Sequence, residues 1–201
     1  YLYFLGADDW LVDAHVLERV RAFIRRHPGY SFYMGNVFLY QENLQLIKRQ
    51  RGNLSAEDIK YGNMCPHQGL FARRDSMEEG FDTHYKIAAD YEFLLRNIVK
   101  GKSFCPMDLD VAYYSLFGAS ADMQLYDEYS TIIKSYLGAE YLRRIDRLRD
   151  VAGNGRSLRK MFKRLLQMSL GEKRLLQWQG WKEVHNGQKG REYGIGHNSC
   201  L

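Results

Sequence analysis

The sequence predicts an α/β fold: a partial, mixed sheet flanked by helices and followed by a helical C-terminal extension. Two observations carry that expectation. Apolar and aromatic runs of strand length recur at Tyr1–Leu5, Ser31–Tyr40 and Ser103–Ser115. Between them lie stretches whose apolar residues follow helical spacing, Asp13–Arg26 and Ala88–Val99. Strands alternating with helices form the α/β pattern. The 201 residues, 45% hydrophobic and 26% charged, suffice for one good core and a small satellite.

Each element has a local cause. Gly6 ends the first apolar run. Asp13 is placed to cap a helix whose apolar positions are Val16, Leu17, Val20, Phe23 and Ile24, and His27-Pro28-Gly29 stops it. Ser31–Tyr40 reads as a strand and Leu44–Arg49 as its hairpin partner. Ser55-Ala56-Glu57-Asp58 has the form of a capping box and opens a short helix. Gly69–Ala72 is a further strand, Arg74–Glu79 a helical turn, and Lys100-Gly101 ends the helix of Ala88–Val99. Gly118-Ala119-Ser120 breaks the last long strand, and helices follow between Met123 and Trp178. The division is therefore 1–122 for the α/β part, 123–180 for the helical extension and 181–201 for a Gly-rich polar tail without order.

Charge and cysteine usage narrow the setting. Net charge is +5, and basic residues dominate from Arg156 to Arg174 with only Glu172 against them. In 156–178, Leu158, Phe162, Leu165 and Leu166 form an apolar stripe beside Arg159, Lys160, Lys163 and Arg164. Such a helix either packs its stripe on the domain or makes peripheral contact with an anionic membrane. No nucleic-acid-binding motif accompanies the charge, so nucleic acid is not an expected partner. The three cysteines, Cys65, Cys105 and Cys200, form no metal or disulfide spacing, which suits a reducing, cytoplasmic compartment. No apolar run reaches the roughly 18 residues that a membrane span needs.

Two acidic features carry chemistry. Asp8-Asp9 follows a strand directly, at the carboxyl end of a sheet, where open α/β folds bind ligands. Adjacent carboxylates repel unless a cation or hydrogen-bond donors compensate. A divalent cation shared with a diphosphate meets that need, as does a purely structural turn. Asp90 opens a helix in Ile87-Ala88-Ala89-Asp90-Tyr91-Glu92-Phe93. It either complements the helix dipole or takes a proton from an attacking hydroxyl. Leu94 and Leu95 behind it make the element rigid. His67, beside Gln68, is either a satisfied structural histidine or a site residue. Arg73 and Arg74 either meet phosphate or cap the next turn.

The order of these phrases resembles family 2 glycosyltransferases of the GT-A (Rossmann-like) type. It runs from Leu5-Gly6-Ala7-Asp8-Asp9 through His67-Gln68-Gly69-Leu70-Phe71-Ala72-Arg73-Arg74 and Gly80-Phe81-Asp82. It continues to Tyr85-Lys86-Ile87-Ala88-Ala89-Asp90-Tyr91-Glu92-Phe93 and Gly118-Ala119-Ser120. The resemblance covers residues 1 to about 122, the length of the expected α/β part. It implies a transferase that moves a sugar from a nucleotide-sugar donor to a hydroxyl of a saccharide or lipid-linked acceptor. Asp8 would sit near the ribose or diphosphate, Asp9 would be the main ligand of Mn2+ or Mg2+, and Asp90 would be the base of an inverting displacement. His67, Gln68 and Asp82 would bind substrate, with Asp82 also a turn carboxylate and Phe81 a packing residue.

Departures qualify the expectation. Residue 1 already lies at the strand before Asp8-Asp9, whereas family members first build strands that hold the nucleobase. The chain thus reads as the acceptor-side portion of such a protein. It lacks the Gln-x-x-Arg-Trp motif of processive synthases, since Gln177-Trp178-Gln179 does not match, so a non-processive enzyme of surface polysaccharide or glycoconjugate synthesis is expected. The competing readings are a catalytically incomplete remnant acting as an interaction module and a metal-dependent nucleotidyl or phosphoryl transferase.

Overall fold

The structure is a computed structural model that describes residues 1–64, 66–116, 123–147, 176–177 and 180–184. The expected loop Gly118-Ala119-Ser120, most of the basic stretch 156–178 and the tail from Asn186 lie outside those residues.

Among the described residues one mixed sheet of seven strands is flanked by helices, the expected α/β class. Its axis is β3 (Phe32–Gln41), buried along most of its length. On one side β3 pairs in parallel with β6 (Phe104–Ser115). On the other side its first half pairs with β5 (Leu70–Ala72) and its second half with β4 (Leu46–Gln50), both antiparallel. The expected hairpin of β3 and β4 is present. Three two-residue strands complete the sheet. β1 (Leu2–Tyr3) joins β5, β2 (Trp10–Leu11) joins the end of β6, and β7 (Lys182–Glu183) joins β4. The first residues of the expected tail are thus paired into the sheet.

Alternation along the strands divides the core. Phe32, Met34 and Leu70 face a cluster with α3 (Ala89–Val99), α2 (Ala56–Lys60) and α4 (Met123–Leu137). Tyr33, Phe71, Met107 and Val111 face the opposite cluster, with α1 (Val16–Arg26). Helix α1 buries Val16 and Val20, but Leu17 is 48% exposed because it lies about 100° round the helix from Val16. Asp13 stands two residues ahead of the helical cap, accepting from the His15 N–H at 2.8 Å and from the Arg19 guanidinium at 3.0 and 2.6 Å. Ser55 and Asp58 form the capping box that opens α2.

The changeover from β5 to β4 occurs at Gly35, where the register against β6 also shifts. A Cβ on Gly52 would land on the Gly35 carbonyl oxygen, and one on Gly69 would lie 2.6 Å from the same atom. Backbones meet there without side chains between them. Buried Asn36 compensates the broken ladder. Its amide N–H group donates to Asp108 and Asp110, both at 3.1 Å, and its oxygen accepts the Gly52 N–H at 3.1 Å. Arg49 closes the cluster by donating to Asp110 at 2.7 Å and Asp108 at 3.1 Å.

Gly52→Ala should therefore destabilise the fold by about 2 kcal/mol, the usual cost of overpacking a filled site. Urea unfolding measures it; a midpoint equal to that of the unaltered chain would refute the close approach.

Candidate functional site

The segment after β1 turns back on itself through Asp9. Its N–H donates to the Gly6 carbonyl at 3.2 Å, and its carboxylate accepts three hydrogen bonds. Oδ2 takes the Gly6 N–H at 3.2 Å and the Gln68 amide at 2.7 Å, while Oδ1 takes the Ser115 N–H at 3.0 Å. A Cβ at residue 6 would lie 2.5 Å from the Asp9 carboxylate, which would then have to shift. Asp8 differs: it is exposed, and no hydrogen bond or ion pair from the described residues reaches its side chain.

A single 3-10 turn, His67–Gly69, joins this corner to the second anchor. Gln68 is buried and points to Asp9, and the Tyr3 hydroxyl donates to its backbone carbonyl at 2.9 Å. Burial and then the charge of Asp9 push the Tyr3 hydroxyl well above its ordinary pKa. His67, one residue earlier, places Nδ1 3.8 Å from Asp90 Oδ2. That is within ion-pair range if the imidazole is protonated, and too long for a hydrogen bond. Both side chains stay partly open to solvent. Asp90 Oδ1 accepts the Tyr91 N–H at 2.8 Å, which leaves Oδ2 for other contacts.

The helix that carries Asp90 is fixed from both ends. Before it, Glu128 of α4 accepts the N–H groups of Lys86, Ile87 and Ala88 at 3.1, 3.0 and 2.8 Å. Burial pushes the Glu128 carboxyl up, but the three backbone donors and Lys86 outweigh it and hold the net value below the ordinary 4.5. Tyr129 stacks on Tyr91 with ring centroids 4.1 Å apart. Burial, then the charge of Asp90, raise the Tyr129 hydroxyl far above its usual range. Along the helix, Arg96 donates to Glu92 at 2.9 Å, to Glu79 at 2.9 Å and to the Gly80 carbonyl at 2.6 Å. Tyr136 also bonds to Glu92. The Arg96 contact with Gly80 sets the loop that presents Phe81.

A cavity of about 330 Å³ opens beside Asp90. Phe4, Leu70, Met77, Phe81 and Phe93 contribute apolar walls, and His67 and Asp90 its polar side chains. Asp82 lies outside this lining and instead closes a turn, accepting from the His84 N–H at 3.0 Å with the His84 ring at 2.8 Å. Arg73 pairs with Asp75 at 2.7 Å on the surface.

The sequence-derived candidates are thus brought together in part. Asp9, Gln68, His67 and Asp90 form one connected corner, Asp8 stands beside it with no partner among the described residues, and Asp82 is not among the residues that line the cavity. Sequence reasoning missed the Ser115 N–H, Glu128 and the cavity walls Phe4 and Met77. The Glu128 contact spans 40 residues or more, and no local pattern signals it. Among the described residues no helix is long and apolar enough to cross a membrane.

Comparison with known proteins gives this corner a relationship. The chain is 28% identical over 147 residues to a PGL/p-HBAD biosynthesis glycosyltransferase of Mycobacterium bovis, a match covering 72% of this chain and 52% of the relative. The like-named protein of Mycobacterium tuberculosis matches to the same extent. The chain spans about half the length of the curated relatives it matches. No protein-family model matches it. The likeness supports a glycosyltransferase relationship.

Glu128→Gln should cost about 1–2 kcal/mol of stability near neutral pH, since the three N–H groups lose their charged acceptor. The folded carboxyl has a pKa below its ordinary value of 4.5, so its contribution is complete above that value and is lost as pH falls through the folded one. Urea unfolding at about pH 7 and about pH 3 should show the difference shrinking in acid. An equal cost at both would remove the charge from the explanation.

Proposed function

We propose that this chain is the acceptor-side part of a family 2, GT-A-type glycosyltransferase that transfers a sugar from a nucleotide-sugar donor with inversion. The observation that carries the reading is the turn His67–Gly69, whose adjacent side chains reach Asp9 through Gln68 and Asp90 through His67. A diphosphate-side carboxylate and a base-side carboxylate are then linked by one short, rigid element. The glycosyltransferase relatives supply the reaction class.

In this reading Asp90 Oδ2 takes the proton of the acceptor hydroxyl as that oxygen attacks the anomeric carbon. The bond from that carbon to the diphosphate breaks, and the nucleoside diphosphate leaves with the bonding pair. One displacement inverts the carbon. His67, at the rim of the same cavity, orients the hydroxyl toward Asp90. Burial of α3 around Leu94 and Leu95 keeps the base in place.

The donor set at the strand end suits Mn2+ or Mg2+, hard cations that take carboxylate oxygens. When bound, such a cation neutralises charge on the departing diphosphate. Among the described residues no group of three or more His, Cys, Asp or Glu side chains gathers to hold a metal. Diphosphate and water oxygens would therefore supply the remaining ligands. The division between the two aspartates follows from their partners. Asp9 already accepts from three protein N–H groups, so Asp8 is the better candidate for the direct ligand, with Asp9 holding the corner in shape.

In the full-length enzyme, Asp90→Asn should lower transfer by about a hundredfold or more while donor binding stays nearly constant. Sugar transfer assayed over a panel of nucleotide-sugars, beside calorimetric donor titration, tests it; near-normal turnover would exclude Asp90 as the base. Asp8→Asn should lose Mn2+-dependent affinity for nucleoside diphosphate without loss of stability. Asp9→Asn should instead lose about 1–3 kcal/mol of stability, because it puts an amide among three donors. Calorimetry and urea unfolding on both variants separate the two; the opposite pattern would return the metal to Asp9.

A further inference from the structure

Helix α3 carries the candidate base but does not cap its own start. The segment before Asp90, Lys86-Ile87-Ala88-Ala89, has no side chain that can accept a backbone hydrogen bond, and the capping position is Ala88. N–H groups at a helix start have no intrahelical partner. Ala88 is fully buried, so water is no substitute for a protein acceptor there. The acceptor comes from α4. Glu128 Oε2 takes the N–H groups of Ile87 and Ala88 at 3.0 and 2.8 Å, and Oε1 takes that of Lys86 at 3.1 Å.

Within the segment itself the competing acceptor is Asp90. It lies two residues after the capping position, and an acidic side chain in the first turn can reach back to the N–H of the capping residue, as in a capping box. Drawn back in that way, it would have both oxygens on the backbone, because Oδ1 already accepts from Tyr91 at 2.8 Å. Glu128 removes this competition and leaves Oδ2 open on the side of His67. Ile87 also walls the cavity, so a shift of the segment would move wall and base together. Tyr129 stacked on Tyr91 and Tyr136 bonded to Glu92 tie the same two helices further along.

We propose that Glu128 is a positioning residue of the transfer reaction: capping α3 from α4, it keeps Asp90 Oδ2 free for the acceptor hydroxyl without touching substrate itself, a role that rests on Asp90 being the base in the transferase reading above. The helix that follows the α/β part of the chain then belongs to the catalytic machinery.

Release of nucleoside diphosphate by the full-length enzyme tests this, with water as acceptor and the nucleotide-sugar it cleaves fastest among UDP-, GDP- and dTDP-sugars as donor. Glu128→Asp keeps the charge and loses one methylene of reach. Glu128→Gln loses the charge but keeps the reach, and its carbonyl oxygen can still accept from Ile87 and Ala88. Glu128→Asp should lower kcat by about tenfold or more, since misplacing a reacting group by about 1 Å can cost about a hundredfold. Glu128→Gln should retain most of the rate, and donor KM should be unchanged in both. On an Asp90→Asn background, Glu128→Asp should cause no further loss, because the residue acts through Asp90. A normal kcat in Glu128→Asp, a Gln variant as impaired as the Asp one, or the same further loss on the Asp90→Asn background would overturn the role of Glu128. A normal Glu128→Asp enzyme beside an impaired Asp90→Asn enzyme refutes Glu128 alone; normal turnover in Asp90→Asn refutes the base and the positioning residue together.

Discussion

The Asp9 carboxylate is the contact on which the rest of this corner depends. It gathers three donors from parts of the chain that share no local sequence: the Gly6 N–H, the Gln68 amide and the Ser115 N–H at the end of β6. A half-buried carboxylate with three donors is well compensated, and charge-assisted bonds of this kind are about twice as strong as neutral ones. The strand-end turn, the 3-10 turn and the long strand are thereby tied at one point. Gln68 is committed to Asp9, and the next residue back, His67, places its ring Nδ1 3.8 Å from Asp90 Oδ2.

The second half of the corner is held by a different device. Glu92 is almost fully buried and would be costly alone, but Arg96 and Tyr136 satisfy it. Replacing such a network with apolar residues can leave stability unchanged, so its value lies in geometry as much as in energy. Here the geometry is visible: Arg96 spends one bond on the Gly80 carbonyl and thereby sets Phe81 against Phe93. Glu128 does the corresponding work at the start of α3, where backbone N–H groups have no helical partner. The base candidate and the apolar cavity are consequently positioned by the same helix.

What the sequence made legible was local. The hairpin of β3 and β4, the capping box at Ser55, the helix of Asp90 and the long β6 each follow from pattern over a few residues. The two-residue strands β2 and β7 are too short to carry a period and exist only because a partner strand is there. Leu17 shows the limit of apolar spacing: it fits a helix but misses the stripe that faces the sheet. Gln68 had no signal of its own, since an amide's partner 59 residues away leaves no trace in neighbouring positions. Among the site candidates, Asp82 was legible as a turn carboxylate, and a turn is where the structure puts it.

The adjacency of Asp8 and Asp9 acquires a physical meaning from these contacts. Two neighbouring carboxylates raise each other's energy when both are charged. Spreading the Asp9 charge over three N–H donors relieves one side of that repulsion without using the other residue. Asp8 is left exposed, with no protein donor among the described residues to neutralise it. A corner built this way is held by the protein's own hydrogen bonds, and the Asp8 carboxylate at its edge is left without a partner among the described residues. Preorganisation of this kind lowers the entropy that binding must overcome. The two aspartates therefore differ in environment although they are neighbours in sequence, a distinction that the acidic pair alone does not reveal.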